Sequence, residues 1–190
     1  MELPLLLLVV AGCAPVAVIL IWAVRTYNRL VRQRNQANAS WAQIDVQLRR
    51  RHDLIPNLVE TVRGYASHEQ STLESVVGAR HGAVTATGDQ VAGRATAENL
   101  LSQTLGRLFA LAEAYPDLKA DRNFAALQRE LATTEDKIAY ARQFYNSAVQ
   151  TLTNTIQSVP SNLIAKLFGF HPPDYFETSD EARGPVQVQF

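Results

Sequence analysis

The sequence predicts an all-α protein: a single N-terminal transmembrane helix followed by an antiparallel four-helix bundle with long first and last helices. Three observations predict it. Leu3 to Val24 contains no charged residue, and two later stretches, Leu30 to Tyr65 and Phe124 to Val159, each carry a seam of residues spaced alternately by three and four. A seam of that length needs partner helices to cover it, since a lone helix in water is only marginally stable.

The anchor comes first. About 22 residues of helix rising about 1.5 Å each cross a hydrocarbon core of about 30 Å, so residues 1–25 read as one span. Pro4 falls in the first turn, whereas Pro15 lies mid-span and is expected to bend it. Leu5, Leu8, Val16 and Ile19 then face lipid, with Trp22 in the interfacial belt and Arg25 and Arg29 at the headgroups. Arg32 and Arg34 follow, nothing basic precedes the span, and the positive-inside rule places the body in the cytoplasm and the N-terminus outside. The competing reading is a lipoprotein box at Val10-Ala11-Gly12-Cys13. Against it, the segment before the box carries Glu2 and no Lys or Arg, and apolar residues continue well past Cys13. Cys13 is the single cysteine, which excludes disulfides within the chain and Cys-rich metal sites.

Residues 26–160 form the expected cytoplasmic bundle. Leu30, Arg34, Ala37, Trp41, Ile44, Leu48, Arg51, Ile55, Leu58, Val62 and Tyr65 make the first seam. Pro56 removes the hydrogen bond to the carbonyl of His52 and should kink the rod unless neighbours compensate. Ser67-His68-Glu69-Gln70 matches a capping box that starts a short second helix carrying Leu73, Val76, Val77 and Ala83 and ending by Gly88. His81 to Ala97 reads as a loop with a poorly packed start of the third helix. Asn99 to Ala114 is helical through Leu100, Leu101, Leu105, Leu108, Phe109 and Ala112, with Ser102 reading as exposed, and Tyr115-Pro116-Asp117 stops it. Asp121 is a candidate N-cap for the last helix. Its seam is Phe124, Leu127, Leu131, Thr134, Ile138, Ala141, Tyr145, Ala148, Leu152, Thr155 and Val159. Leu48, Ile55, Leu131, Ile138 and Leu152 are expected in the core.

Antiparallel packing brings the last helix back toward the membrane. Residues 161–171 are then an apolar membrane-proximal segment in which Leu163, Ile164, Leu167, Phe168 and Phe170 lie outside the bundle, with Leu167, Phe168 and Phe170 touching lipid. Residues 172–190, with three prolines and four acids in the last twenty positions, read as an extended acidic tail.

The chain has 190 residues and zero formal net charge, but the charge is uneven. Seven arginines against Asp45 lie between Arg25 and His52, whereas the tail holds Asp174, Glu177, Asp180 and Glu181 against Arg183. Anionic lipid explains the basic end directly, so no nucleic-acid partner is expected. His68-Glu69 lacks the second histidine of a zincin helix, since position 72 is Thr72, and no glutamate has a histidine three residues on as a di-iron bundle requires. No cofactor, metal site or catalytic residue is expected. Arg49, Arg50, His52 and Asp53 form the densest polar cluster and are candidates for a partner or anion contact. The structural reading is stronger: Arg50 pairs with nearby acids and Arg51 covers apolar surface with its stem.

Tyr27-Asn-Arg-Leu30, Trp41-Ala-Gln-Ile-Asp-Val-Gln-Leu48, Arg50-Arg-His-Asp-Leu-Ile-Pro-Asn-Leu-Val59, Glu113-Ala-Tyr-Pro-Asp-Leu-Lys119, Glu135-Asp-Lys-Ile-Ala-Tyr-Ala-Arg142 and Phe144-Tyr-Asn146 together resemble the LemA family over nearly the whole chain after the anchor. That resemblance implies a bacterial single-pass inner-membrane protein with a cytoplasmic helical body, and it brings no catalytic residue with it. It implies a scaffold or adaptor that organises membrane, or an accessory subunit of a membrane metalloprotease. Self-association into a homo-oligomer through the anchor and residues 163–170 is expected. A less favoured alternative is an enzyme using His52, Asp53 and Glu60 in a cleft near Pro56.

Overall fold

The computed structural model describes residues 2–86 and 91–176, with side chains from Ala14 onward, and no strand occurs among them. The helices are α1 (Glu2–Tyr65), α2 (Gln70–Thr85), α3 (Val91–Ala112), α4 (Pro116–Ala120), α5 (Arg122–Gln157) and α6 (Ser161–Leu167). The side chains of Leu5, Leu8 and the Val10–Cys13 box, the expected helix end at Gly88, and the acidic tail from Glu177 lie outside the described residues. The chain divides into two compact units, one of residues 1–39 and 147–173, the other of residues 40–146 and 174–190.

The larger unit is built on the two predicted seams. Ile44, Leu48, Ile55, Leu58 and Val62 of α1 are fully buried, as are Leu131 and Ile138 of α5 to within 4%. Ile55, Leu58 and Val62 share a core with Leu73, Val76, Ala79 and Ala83 of α2, Leu101, Leu105, Leu108 and Ala112 of α3, Leu118 of α4, and Phe124 and Leu131 of α5. The seam positions differ from expectation at its ends and in the short helices. Tyr65 is exposed and Ala66 takes the core place, because the chain turns there; Val77 and Leu100 face outward, and Ala79 packs inside instead.

α1 runs unbroken through both Pro15 and Pro56. At Pro56 the compensation is visible. The carbonyl of His52, which the proline ring leaves without its helical donor, accepts a hydrogen bond from Arg80 Nε of α2 at 2.6 Å. A side chain from a neighbouring helix therefore fills the gap in the backbone ladder, and α1 needs no break there.

Two boundaries correct the sequence reading. α2 has Glu69 at its N-cap with no side-chain cap, so the capping box at Ser67 and Gln70 does not form. A turn closed by Glu69 N–H to Ala66 O at 3.1 Å places Glu69 at the helix mouth and leaves Ser67 exposed outside it. The expected loop from His81 to Ala97 is helical at both ends, since α2 runs to Thr85 and α3 begins at Val91. Ala83, Arg94 and Ala95 are buried, so packing extends both helices over a stretch whose small residues favour them weakly. By contrast, Asp121 caps α5 as expected: its Oδ1 accepts the Phe124 N–H at 2.8 Å, while Oδ2 accepts the Tyr65 hydroxyl at 3.0 Å. Those two bonds hold the Asp121 carboxyl below its ordinary range, the Phe124 amide first.

The smaller unit has its own core of Leu30, Leu152, Ile164, Ala165 and Phe170, against which Trp22, Ala23, Val31 and Ile156 pack. The α5 seam ends earlier than its spacing suggests: Val149 is buried where Ala148 was expected to lead, and Val159 is 81% exposed. Phe170 is also a correction. It turns inward because Gly169 adopts φ +67°, which lets the Phe170 N–H reach back to Ala165 O at 2.9 Å and the Gly169 N–H to Lys166 O at 3.4 Å. That is a Schellman ending, whose last residue packs on the helix it closes. Leu163, Leu167 and Phe168 remain exposed, as read from the sequence.

The Arg80 bond gives a sharp expectation. Arg80→Met should cost about 1–3 kcal/mol by leaving the buried His52 carbonyl unpaired. In a Pro56→Ala background the restored amide supplies the missing donor, so most of that cost should vanish. Denaturant melts of the four chains in mild detergent measure the coupling, and additive costs would show that Arg80 does not compensate for Pro56.

Candidate functional site

Arg51 occupies a seam position of α1 and is 1% exposed, a guanidinium inside a helical core. Burying a charge is expensive unless it is paired. Here it is paired on several sides: Arg51 bonds Glu98 of α3, donates to Glu135 Oε2 of α5 at 2.6 Å, and donates to Ser102 Oγ at 2.9 Å. The Glu98 carboxylate is fully buried, and its second oxygen lies 2.9 Å from His52 Nε2. Burial alone would push the Glu98 carboxyl up, but the His52 hydrogen bond and the Arg51 charge outweigh it and hold it below its ordinary value.

A second cation stands beside this cluster. Burial lowers the pKa of Arg142, and the nearby charges of Glu135, Arg51 and Glu98 act on it in turn. Arg142 thus lies within electrostatic reach of the cluster, but its Nε and Nη2 are buried without a hydrogen-bond partner among the described residues. Arg142 also lies 4.5 Å over the ring of Phe176. Towards the start of α1 in this unit, Arg94 is 5% exposed, pairs with Asp45, and sits 5.4 Å over Trp41. Arg49 pairs with the same Asp45 at 2.5 Å on the surface, and Arg50 reaches Glu130 of α5.

Phe176 lies in the segment expected as an extended acidic tail. It is 1% exposed, with its ring 5.8 Å from Trp41. Asn146 grips its backbone twice, accepting the Phe176 N–H at 2.9 Å and donating to Phe176 O at 3.1 Å. One turn of contact earlier, the Tyr145 hydroxyl donates to Asp174 O at 2.9 Å, and burial followed by the Asp174 charge raises the pKa of that phenol. An amide side chain that pairs both ways with one extended residue fixes its register as a neighbouring strand would.

Of the expected cluster of Arg49, Arg50, His52 and Asp53, three residues are exposed and His52 is buried. His52 is buried against Glu98, so it is not offered to a partner; Asp53 and Glu60 are exposed and separate from it. Arg51 does not lay its stem over apolar surface as expected but is sunk among acids, and Ser102 is half-buried beneath it. A depression of about 630 Å³ lies elsewhere in this unit, bordered by Arg63, Ser67, Gln70, Leu73 and Glu74, and includes none of these residues. No group of three or more His, Cys, Asp or Glu is placed to hold a metal among the described residues. The signal for the cluster was present in the spacing: Arg94, Glu98, Leu101, Leu105 and Leu108 continue the α3 seam backwards through two charged residues.

Glu98→Gln should destabilise the protein by about 3–5 kcal/mol, since it removes one partner of a buried pair. Arg50→Ala at the exposed pair should cost under about 1 kcal/mol. Because the native Glu98 carboxyl titrates below its ordinary 4.5, its contribution is complete above that value and is lost as pH falls through the lower native one. Stability measured against pH should fall in that acid window in the parent and less steeply in Glu98→Gln. Phe176→Ala should cost about 3–5 kcal/mol in the same melts, and a change under about 0.5 kcal/mol would mean that the segment is not docked in solution.

A sequence model of the LemA family matches residues 40–190. Magnetosome protein MamQ of Magnetospirillum gryphiswaldense is 27% identical over 184 residues, covering 84% of this chain and 68% of that protein. Magnetosome protein MamQ 2 of Paramagnetospirillum magneticum matches to the same extent. Protein LemA of Metamycoplasma hominis is 22% identical over 161 residues, covering 85% of this chain and 73% of its own length.

Proposed function

We propose that this chain, which belongs to the LemA family, is a membrane-anchored helical scaffold or adaptor that acts by contact rather than by catalysis. The observation that carries this reading is the way the buried charges are spent. His52, Glu98, Arg51 and Glu135 pair with one another and leave no group poised over an open cleft, while Asp53 and Glu60 stand apart in solvent. An enzyme needs its titratable groups convergent and accessible to a substrate.

Membrane attachment is supported by α1. Its beginning is apolar and long enough to cross a bilayer by length and composition, and Val16, Val18, Ile19, Leu20, Ile21 and Val24 are 53–65% exposed. The relatives named as magnetosome proteins fit the same association. In this reading the body is an antiparallel four-helix bundle of α1, α2, α3 and α5 in the cytoplasm of a bacterial inner membrane. Side-by-side copies associate through their anchors, so native mass measurement of the full chain should find more than one copy per particle. A second reading, an accessory subunit of a membrane metalloprotease, rests on the family resemblance; co-purification in mild detergent with and without the protease decides it.

Topology is tested with a cysteine at Gln103, an exposed position beside Ser102, in a Cys13→Ser background. A membrane-impermeant maleimide should label it only after permeabilisation. Labelling of intact cells would place the body outside.

A further inference from the structure

The smaller unit gathers charge of one sign. It holds five Lys and Arg (Arg25, Arg29, Arg32, Arg34 and Lys166) against the single acid Glu2, while the other unit has the remaining thirteen against seventeen acids. Arg25, Arg29, Arg32 and Lys166 are exposed, and among the described residues none of the four has an ion-pair partner. Within the same unit, α6 turns its Ile164 and Ala165 into the core and leaves Leu163 and Leu167 65% and 75% exposed on its other side. Phe168 continues that apolar face, and its ring lies 4.8 Å from Tyr27, one turn beyond the exposed Val24 of the apolar stretch. The Schellman turn at Gly169 fixes the segment on Leu30, and Arg34 lies 5.1 Å from the Phe170 ring.

We propose that α6 and the turn after it are a second membrane contact, an interfacial foot that lays Leu163, Leu167 and Phe168 at the headgroup–acyl boundary of a bilayer containing anionic phospholipid. This rests on the reading of the start of α1 as a spanning helix. The physical case has two parts. First, the Tyr27–Phe168 contact ties the apolar face of α6 to the level where the span ends and its arginines begin, which is the depth at which amphipathic segments settle. Second, Arg25, Arg29 and Arg32, which follow the apolar stretch along α1, and Lys166 of α6 have no ion-pair partner among the described residues, and they match the phosphates of an anionic leaflet at that level. A foot of this kind fixes rotation and tilt of the smaller unit against the membrane, which one spanning helix leaves free.

The test places an environment-sensitive fluorophore at Leu167→Cys in a Cys13→Ser full chain, with the same probe at Gln103→Cys as the control in water. The chain is reconstituted into vesicles of phosphatidylcholine alone or with about one part in three phosphatidylglycerol, a charge density that attracts basic segments. The probe at 167 should emit as in a dry environment and be quenched by lipid-borne nitroxide near the headgroups. Quenching should be at least about twofold stronger with phosphatidylglycerol and weaken in high salt. The triple substitution Arg25→Gln, Arg29→Gln and Arg32→Gln should remove the lipid-charge dependence, and Lys166→Gln should reduce it. A probe at 167 that stays wet in vesicles from which alkaline washing cannot extract the chain overturns the foot and leaves the anchor standing. Extraction by the wash overturns the anchor, and the foot with it. A dry probe that is indifferent to lipid charge and becomes wet when the protein is diluted in the bilayer also overturns the proposal, because a second copy is then the cover.

Discussion

A buried arginine governs the larger unit. With Arg51 in the seam, α1 cannot pack against an ordinary apolar stripe, because an unpaired guanidinium in the core would cost more than the contacts around it return. Glu98 of α3 and Glu135 of α5 have to arrive at the same level, and His52 then satisfies the other Glu98 oxygen. The apolar layers tolerate a slip of one turn far better than this polar layer does, since leucine meets leucine in either register and a charge meets its partner in one. A buried polar layer that specifies register has precedent in helical assemblies, and here it fixes three helices at once.

Pro56 belongs to the same economy of local defects answered from a distance. The ring interrupts the backbone ladder one turn after Arg51, and the orphaned His52 carbonyl is answered by Arg80 from α2. His52 thereby contributes at both ends, its ring bonding α3 and its carbonyl bonding α2. The Asp174–Phe176 segment closes the other side, where Phe176 fills the space between Trp41 and Arg142 and Asn146 supplies the backbone bonds that an extended residue lacks.

The smaller unit shows the opposite allocation. Its core is small, Arg25, Arg29, Arg32 and Lys166 have no ion-pair partner among the described residues, and α6 keeps large apolar residues in the open. Exposed leucine and phenylalanine beside bare arginine and lysine are costly arrangements for a surface that meets only water. They are ordinary where one face meets hydrocarbon and the rim meets phosphate.

Helices α1, α2, α3 and α5, the apolar stretch, the seams of α1 and α5 and the Asp121 cap were legible in the sequence, because each depends on spacing or on chemistry within one turn of helix, whereas the short helices α4 and α6 were not read. Leu48, Ile55, Leu131, Ile138 and Leu152 are buried where their periodicity placed them. What the tertiary structure decided is everything that joins distant positions. The partners of Arg51 lie 47 and 84 residues away, the donor for His52 O lies 28 residues away, and the residue that grips Phe176 lies 30 away. Periodicity reports that a side chain faces inward without reporting what it meets there. A charge in a seam therefore reads as a defect until the helix that neutralises it is in place, and Phe170 likewise reads as an outlying apolar residue until Leu30 and Leu152 of the smaller core are there to receive it.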